Sequence, residues 1–142
     1  MIKHLLLAVD GSENAYRAAQ YTVNLQQAMP RAKCTILTVL TFTEDEARFL
    51  GATATEYSIS ASQRADILLK KIKQLFHCAG LTPELAVRQG DVAENILNYA
   101  RQNNCDLIVV GTRGRGSLKG ALLGSVSQRV IQQTPCPVLV VK

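Results

Sequence analysis

The sequence predicts an α/β protein in which a single open, twisted, five-stranded parallel sheet carries helices on both faces. Five short apolar runs recur along the chain, and most are continuous rather than alternating, as expected of parallel strands covered on both faces. Segments with helical spacing lie between them, which gives the order β-α-β-α-β-α-β-α-β. Because 142 residues match one ordinary domain, residues 1–142 are interpreted as a single domain.

The predicted strands are short and rich in aliphatic side chains. In chain order they are Leu5–Val9, Ile36–Leu40, Leu85–Val87, Leu107–Val110 and Val138–Val141.

The predicted helices come from apolar side chains that recur every 3.6 residues. These stripes run over residues 15–23, 65–79, 92–100 and 126–131. Gly80 is expected to stop the second helix, and Asp91 is expected to cap the third. Ser125, with Gln128 three residues later, predicts a capping box that opens the fourth helix. Residues 42–55 have no clean period and are predicted to form a surface loop.

Composition excludes several classes of protein. An apolar fraction of 47% with 19% charged residues is typical of a globular chain, and no apolar stretch is long enough to span a bilayer. The first residues show no cleavage pattern of a secretory signal, so a cytoplasmic location without a membrane partner is expected. The four cysteines are widely spaced without a C-x-x-C pair, which favours core or near-core thiols over a metal cluster.

The net charge of +5 is concentrated at one end of the chain. Residues 107–142 hold five cations and no acid, and the other residues hold eleven charges of each sign. Cations among glycines indicate a phosphate site. A nucleic-acid-binding protein more often spreads its charge and adds stacking aromatics, and here no aromatic residue follows Tyr99, so nucleic acid ranks last among the expected partners.

Two loops that follow predicted strands are candidates for that phosphate site. Ligands of doubly wound sheets bind beyond the carboxyl ends of the strands. Asp10-Gly11-Ser12 follows the first strand, and a glycine-rich segment from Gly111 to Ser127 follows the fourth. Glycines let main-chain N–H groups approach an anion, and a helix N-terminus adds unpaired donors, so the second loop is predicted to hold phosphates.

Two common phosphate loops are excluded. Gly111 and Gly116 have the spacing of a P-loop, but Ser117 stands where that loop requires lysine. The G-x-G-x-x-G dinucleotide fingerprint is absent after the first strand, where only Gly11 is present.

The glycine spacing does match another family. Gly111, two residues, Gly114, nine residues and then Gly124-Ser125 resembles the G-2x-G-9x-G-[ST] motif of ATP-binding universal stress proteins. The resemblance covers the whole chain, from a first strand ending in Val9-Asp10 to the final Pro137–Lys142. It implies an adenine nucleotide alpha hydrolase-like, Rossmann-like fold with strand order 3-2-1-4-5.

The resemblance also implies a set of ligand contacts. Asp10 would lie near the ribose and phosphates, with a possible metal role through Mg²⁺, and Val39 would read the base edge through its backbone. The full predicted ATP-binding set comprises Ala8, Val9, Asp10, Val39, Val110, Gly111, Arg113, Gly114, Gly124, Ser125, Val126 and Ser127. Ala8 and Val9 would line the adenine pocket, and the residues from Gly111 onward would hold the ribose and phosphates.

Simpler roles remain open for several of these residues. Asp10 can bind N–H groups of its own turn, and Gly111 and Gly114 can form a tight turn. Asp91 and Glu94 are interpreted as a helix cap, and no catalytic residue is predicted.

The expected function is an ATP-binding regulatory protein of the stress response. The alternatives are a slow ATPase or phosphotransferase and a nucleotide-free dimeric interaction module. A homodimer paired through the last strand is expected, because the resemblance places this apolar strand at the sheet edge. The sequence identifies no downstream protein partner and does not distinguish ATP from AMP.

Overall fold

A computed structural model describes residues 1–41, 54–113 and 122–142. Strands and helices alternate along these residues. In chain order they are β1 (His4–Ala8), α1 (Glu13–Ala28), β2 (Lys33–Leu40), α2 (Ala54–Cys78), β3 (Glu84–Gln89), α3 (Val92–Gln102), β4 (Leu107–Gly111), α4 (Ser125–Gln133) and β5 (Val138–Val141).

The strands form one parallel sheet with the order β3-β2-β1-β4-β5, which confirms the predicted fold class and strand order. β1 lies at the centre, with Leu7 opposite both Ile36 of β2 and Val109 of β4. Leu5, Leu6 and Leu7 have no solvent exposure, since both faces of β1 are covered.

Two apolar layers hold the helices to the sheet. On one face, α1 and α2 pack through a cluster that includes Leu5, Leu7 and Phe76. On the other face, α3 and α4 pack through a cluster that includes Leu6 and Ile96. Alternate residues of β1 therefore enter opposite layers, as the two-residue period of a strand requires.

The course of the chain opens a crevice between β1 and β4. From β1 the chain crosses to β2 on one side, whereas from β4 it crosses to β5 on the other side. Neighbouring strands whose crossovers leave in opposite directions form the switch point at which doubly wound sheets bind ligands.

Several predicted helix boundaries are confirmed. The Asp91 carboxylate accepts from the Glu94 N–H at 2.8 Å and caps α3. Gly80 has a φ of +75° just beyond α2. The helix α4 continues to Gln133, two residues beyond its predicted apolar stripe.

Other local predictions were wrong. The N-cap of α4 is Gly124, and Ser125 is the first helical residue, so the capping box does not form. The helix α2 begins at Ala54, inside the predicted loop 42–55, and the rest of that loop lies outside the described residues. Only Ala86 of β3 is buried, because β3 lies at the sheet edge.

The four cysteines differ in how deeply they are buried. Cys34 and Cys105 are buried and Cys136 is half-buried, as expected, but Cys78 is exposed at the end of α2. Cys78 lies two residues after the buried Phe76, which places it on the solvent side of the helix.

Candidate functional site

A cavity of about 390 Å³ lies at the carboxyl ends of β1, β2 and β4, at the switch point of the sheet. Every predicted site residue that the structure describes lines it. These residues are Ala8, Val9, Asp10, Val39, Val110, Gly111, Arg113, Gly124, Ser125, Val126 and Ser127. Gly114 lies outside the described residues, as do Arg115 and Lys119 of the same loop.

The turn between β1 and α1 forms one border of the cavity. Asp10 Oδ1 accepts from the Ser12 N–H at 2.9 Å, and Gly11 between them has a φ of +84°. Ser12 Oγ accepts from the Ala15 N–H at 3.1 Å and caps α1. The simpler role considered for Asp10, binding the N–H groups of its own turn, is therefore present.

The segment between β4 and α4 is fixed at both of its ends. The Thr112 N–H donates to the Val141 carbonyl at 2.8 Å, which anchors its start to β5. The Gly124 N–H donates to the Thr112 carbonyl at 2.7 Å, which joins its end to its start. The Asn14 side chain donates to Thr112 Oγ1 at 3.2 Å and ties this junction to α1.

Position 111 requires a glycine because its backbone packs closely against α1, and not because of its backbone conformation. Its φ lies outside the left-handed region. A Cβ added to Gly111 would lie 2.9 Å from both the carbonyl carbon and the Cβ of Asn14, in the first turn of α1. Only glycine lets the end of β4 and the start of α1 approach this closely.

The N-terminus of α4 lines the cavity with Gly124, Ser125, Val126 and Ser127. Ser125, Val126 and Ser127 form the first turn, whose N–H groups have no acceptor within the helix, and Gly124 offers no side chain to cap them. The buried Ser127 hydroxyl donates to the Gly111 carbonyl at 2.7 Å. This bond fixes the start of α4 against the end of β4 and occupies the hydroxyl proton.

At the other end of the cavity, β2 extends beyond β1. The last paired position is Ala8 with Leu37, and the Val9 N–H donates to the Leu37 carbonyl at 2.9 Å. Alternate residues of a strand direct their main-chain groups to the same side. The N–H and C=O of Val39 therefore face the space beyond the end of β1, where the cavity lies.

The walls of the cavity include residues that no sequence motif indicated. α2 contributes Ala61, Arg64, Ala65 and Leu68, and α3 contributes Val92 and Ile96. The helical spacing of Ala65 and Leu68 indicated a buried face. Nothing in that spacing indicated that the face continues past the sheet to border a cavity.

Charged side chains are few in this cavity. Among the described residues, Asp10, Arg64 and Arg113 are the charged groups that line it.

The described part of the chain contains no group of three or more potential metal-binding side chains, and none of its helices is long and apolar enough to cross a membrane.

The shifted titratable groups lie at the opposite end of the sheet. Burial raises the pKa of Cys34 to about 12 and that of Cys105 to about 11, so both thiols stay protonated at neutral pH. Burial also lowers the pKa of His4, against the opposing effect of its hydrogen bond to the Asn103 carbonyl. These are buried structural groups, which agrees with the interpretation of both cysteines as small apolar residues.

Solved structures share this architecture. The structure of a universal stress protein from Lactobacillus plantarum superposes with a TM-score of 0.87 at 24% identity, covering 99% of this chain and 98% of that one. A universal stress protein in complex with cAMP gives 0.71 at 24% identity, covering 99% and 97%. One from Archaeoglobus fulgidus in complex with dAMP gives 0.71 at 20% identity, covering 100% and 98%. At these identities the likeness shows the fold.

Sequence comparison adds the family. A universal stress protein of Thermus aquaticus is 37% identical over 143 residues, which cover 100% of both chains. A universal stress protein of Methanocaldococcus jannaschii is 32% identical over 146 residues, which cover 100% of this chain and 83% of that protein. The model of the universal stress protein family matches residues 1–142. The chain belongs to the universal stress protein family.

Proposed function

We propose that this protein binds adenine nucleotides, ATP among them, in the cavity at the switch point, and that it acts in the cytoplasm as a nucleotide-dependent regulator of the stress response. One observation carries the proposal. Residues from three distant parts of the chain, selected from sequence alone, line a single cavity with one apolar end and one end rich in N–H donors.

The end near β2 suits a purine base. Ala8, Val9 and Val110 supply apolar surface, and the main-chain N–H and C=O of Val39 face the same space. Adenine presents a hydrogen-bond acceptor at N1 beside a donor at N6, so one N–H and one C=O on the same strand can bind its edge. Most of a bound ring would meet apolar atoms, as is usual in small-molecule sites.

The end near β4 suits phosphates. The first-turn N–H groups of α4, which have no acceptor within the helix, and the positive end of its dipole attract anions, and Arg113 adds a formal charge. The exposed Ser125 can add a hydroxyl donor. Ser127 is proposed to hold the site in shape instead, because its hydroxyl proton is donated to Gly111.

Asp10 is proposed to contribute to a magnesium site when ATP is bound. A carboxylate oxygen is a hard ligand of the kind that Mg²⁺ prefers, and Mg²⁺ commonly takes one or two protein carboxylates together with phosphates and waters. Asp10 lines the cavity, and its Oδ1 is held by Ser12, which orients the carboxylate. When bound, the ion would neutralise charge on the phosphates.

Binding rather than turnover is proposed. Phosphoryl transfer requires a positioned base or nucleophile as well as charge stabilisation. Among the described residues of the cavity, Asp10 is the one carboxylate, and it is assigned to the metal. Slow ATP hydrolysis is the most that this arrangement supports. The two solved relatives that contain cAMP and dAMP support the nucleotide class, since each holds an adenine nucleotide on this fold.

Thermal denaturation with and without ligand tests the proposal. At 100 times its dissociation constant, ATP with Mg²⁺ is expected to stabilise the fold by about 2.7 kcal/mol, equivalent to several degrees in Tm. Asp10→Ala should weaken ATP-Mg more than adenosine, while Asp66→Ala, an exposed acid on α2, should leave both unchanged. The absence of any Tm shift with millimolar ATP-Mg would contradict the proposal.

Replacing Gly114 tests the glycine loop itself. A branched Cβ in Gly114→Val would restrict the backbone and obstruct the approach of phosphates, so ATP binding should be lost while the fold remains. If Gly114→Val folds and its affinity for ATP is unchanged, the proposal that this loop binds the phosphates is contradicted.

We further propose that the protein forms a homodimer through β5. This strand is at the sheet edge, and Val138, Leu139 and Val140 remain half-exposed. The carbonyls of Pro137 and Val141 bond to β4, so the main-chain groups of Val138 and Val140 face outward. Unpaired groups on an apolar edge favour pairing with a second copy.

Paired proline variants test this dimer. Val140→Pro removes an outward donor at the β5 edge, and Val87→Pro removes one at the β3 edge on the far side of the sheet. Analytical ultracentrifugation should show dissociation or aggregation for Val140→Pro and an intact dimer for Val87→Pro. A monomeric unaltered protein at micromolar concentration would contradict the dimer and leave the nucleotide proposal untouched.

A further inference from the structure

The N-terminal half of α2 forms one wall of the cavity. This helix returns from the carboxyl edge of the sheet and packs on β2 and α1. Ala61, Ala65 and Leu68 of this helix line the cavity. The helix begins seven residues before Ala61, a length of about 10 Å. The wall is therefore a regular helix that is packed against the core through its second half.

Arg64 is the charged residue in this wall. Its side chain lines the cavity, and its Nη1 donates to Ser60 Oγ at 3.2 Å, one helical turn earlier. The guanidinium therefore points toward the start of the helix, in the direction in which helical side chains tilt. None of the ion pairs found among the described residues includes Arg64.

The orientation of a bound base follows from the strand that binds its edge. The N–H and C=O of Val39 lie in the plane of the sheet, so a base that bonds to them lies near that plane. Its two faces then point to the two helix layers. α3 brings the apolar Val92 and Ile96 to one side, and α2 brings Ala61 and Arg64 to the other.

We propose that the planar guanidinium of Arg64 stacks on the face of the base, an inference that rests on the proposed nucleotide binding. Guanidinium groups stack on aromatic faces because they are flat, weakly hydrated and attracted by the ring electrons. Ala61, three residues before Arg64, lines the same wall with a single methyl group. Arg64 belongs to α2, which packs on β2, whereas the N–H groups proposed for the phosphates belong to the start of α4, which is bonded to the end of β4. The two cations Arg64 and Arg113 are therefore proposed to have different roles.

Two ligands that share the base and differ in charge test this division. Dissociation constants for adenosine and for ATP-Mg are measured by calorimetry. Arg64→Ala is expected to weaken both by the same factor, about 5- to 30-fold, equivalent to about 1 to 2 kcal/mol. Arg64→Lys keeps the charge without the plane and should recover only part of this loss. Lys70→Ala, a change at an exposed cation on the same helix, should change neither constant.

The outcomes separate this inference from the proposed function. If Arg64→Ala weakens ATP-Mg alone, Arg64 binds phosphate and stacking is refuted. If Arg64→Lys restores full affinity for both ligands, the planar guanidinium is not required and stacking is refuted. If Arg64→Ala changes neither ligand while the unaltered protein binds both, stacking is refuted and nucleotide binding stands. If the unaltered protein binds neither ligand, both proposals fail.

Discussion

Replacing Gly111 by alanine should destabilise the fold through a steric clash with α1. The added Cβ would lie 2.9 Å from the carbonyl carbon of Asn14 and 3.1 Å from the Ala15 nitrogen, whereas ordinary contact begins near 3.4 Å. Because both are main-chain atoms, no side-chain rotation relieves the contact. The start of α1 has to move away from β4 by about half an ångström.

The expected magnitude follows from overpacking of a rigid contact. Overpacking typically costs about 1 to 3 kcal/mol. An unfolding entropy of about 2.1 cal/mol/K per residue gives about 0.3 kcal/mol/K for this chain, so Tm should fall by about 3 to 10 °C. No conformational penalty adds to this, since the φ of Gly111 is one that alanine readily adopts.

The assay is calorimetric melting of Gly111→Ala with two companion variants. Asn14→Gly removes one of the two atoms at 2.9 Å, so the double variant should regain part of the lost stability. Gly80 has a φ of +75°, and a Cβ added there would have no atom within 4 Å. Gly80→Ala should therefore lose stability through backbone strain, which Asn14→Gly should not relieve. A Gly111→Ala protein that melts within 1 °C of the unaltered one would refute the packing argument.

Three other outcomes are expected. Ser127→Ala leaves the half-buried Gly111 carbonyl without its donor, and urea denaturation should show a loss of about 1 to 2 kcal/mol. Burial lowers the pKa of His4 below the 6.5 of the unfolded chain, so the contribution of neutral His4 to stability should be complete above pH 6.5 and should fall as the pH drops below it. His4→Gln should flatten this dependence of stability on pH in urea titrations. Asp91→Ala should cost about 1 kcal/mol through the lost cap of α3, whereas Arg129→Met should cost less than about 0.5 kcal/mol because the ion pair is half-exposed.

Each of these expectations has a contrary result. Ser125 is exposed, so the stability of Ser125→Ala should stay within about 0.5 kcal/mol of that of the unaltered protein. Equal losses of stability for Ser125→Ala and Ser127→Ala would refute the role of the bond from Ser127 to Gly111. A pH profile that is identical in His4→Gln would assign the acid sensitivity to carboxylates. Equal losses for Asp91→Ala and Arg129→Met would assign the effect of Asp91 to its ion pair.

The positions of the strands and the identity of the site loops could be predicted because they depend on local pattern, whereas the strand order was implied by the family resemblance alone. Continuous apolar runs such as Leu107–Val110 indicate buried parallel strands whatever surrounds them, and the fixed spacing of glycines indicated the loop after β4. The one-residue error at Ser125 has a local cause too. Both Gly124 and Ser125 are compatible with an N-cap, and the β-region conformation of Gly124 decides between them.

The remaining site features depend on contacts that no local pattern contains. Gly111 was interpreted as giving room to a ligand, yet its closest neighbour is Asn14, about a hundred residues away in the chain. Arg64 belongs to a helix whose stripe indicated only burial, and its place in the cavity depends on where α2 meets β2. Ser127 was assigned to phosphate because its bond to Gly111 is visible only when β4 and α4 are brought together.

The junction at which Gly124 bonds to Thr112 also bears on how such a protein can diversify. The chain leaves the sheet at Thr112 and returns at Gly124, and these two residues are joined directly, with Thr112 also bonded to β5 and α1. The position of α4 on the sheet is thus set by contacts outside the segment that connects them. Substitutions or length changes between the two residues should therefore have little effect on folding, which leaves the proposed ligand site free to change among descendants of one stable scaffold.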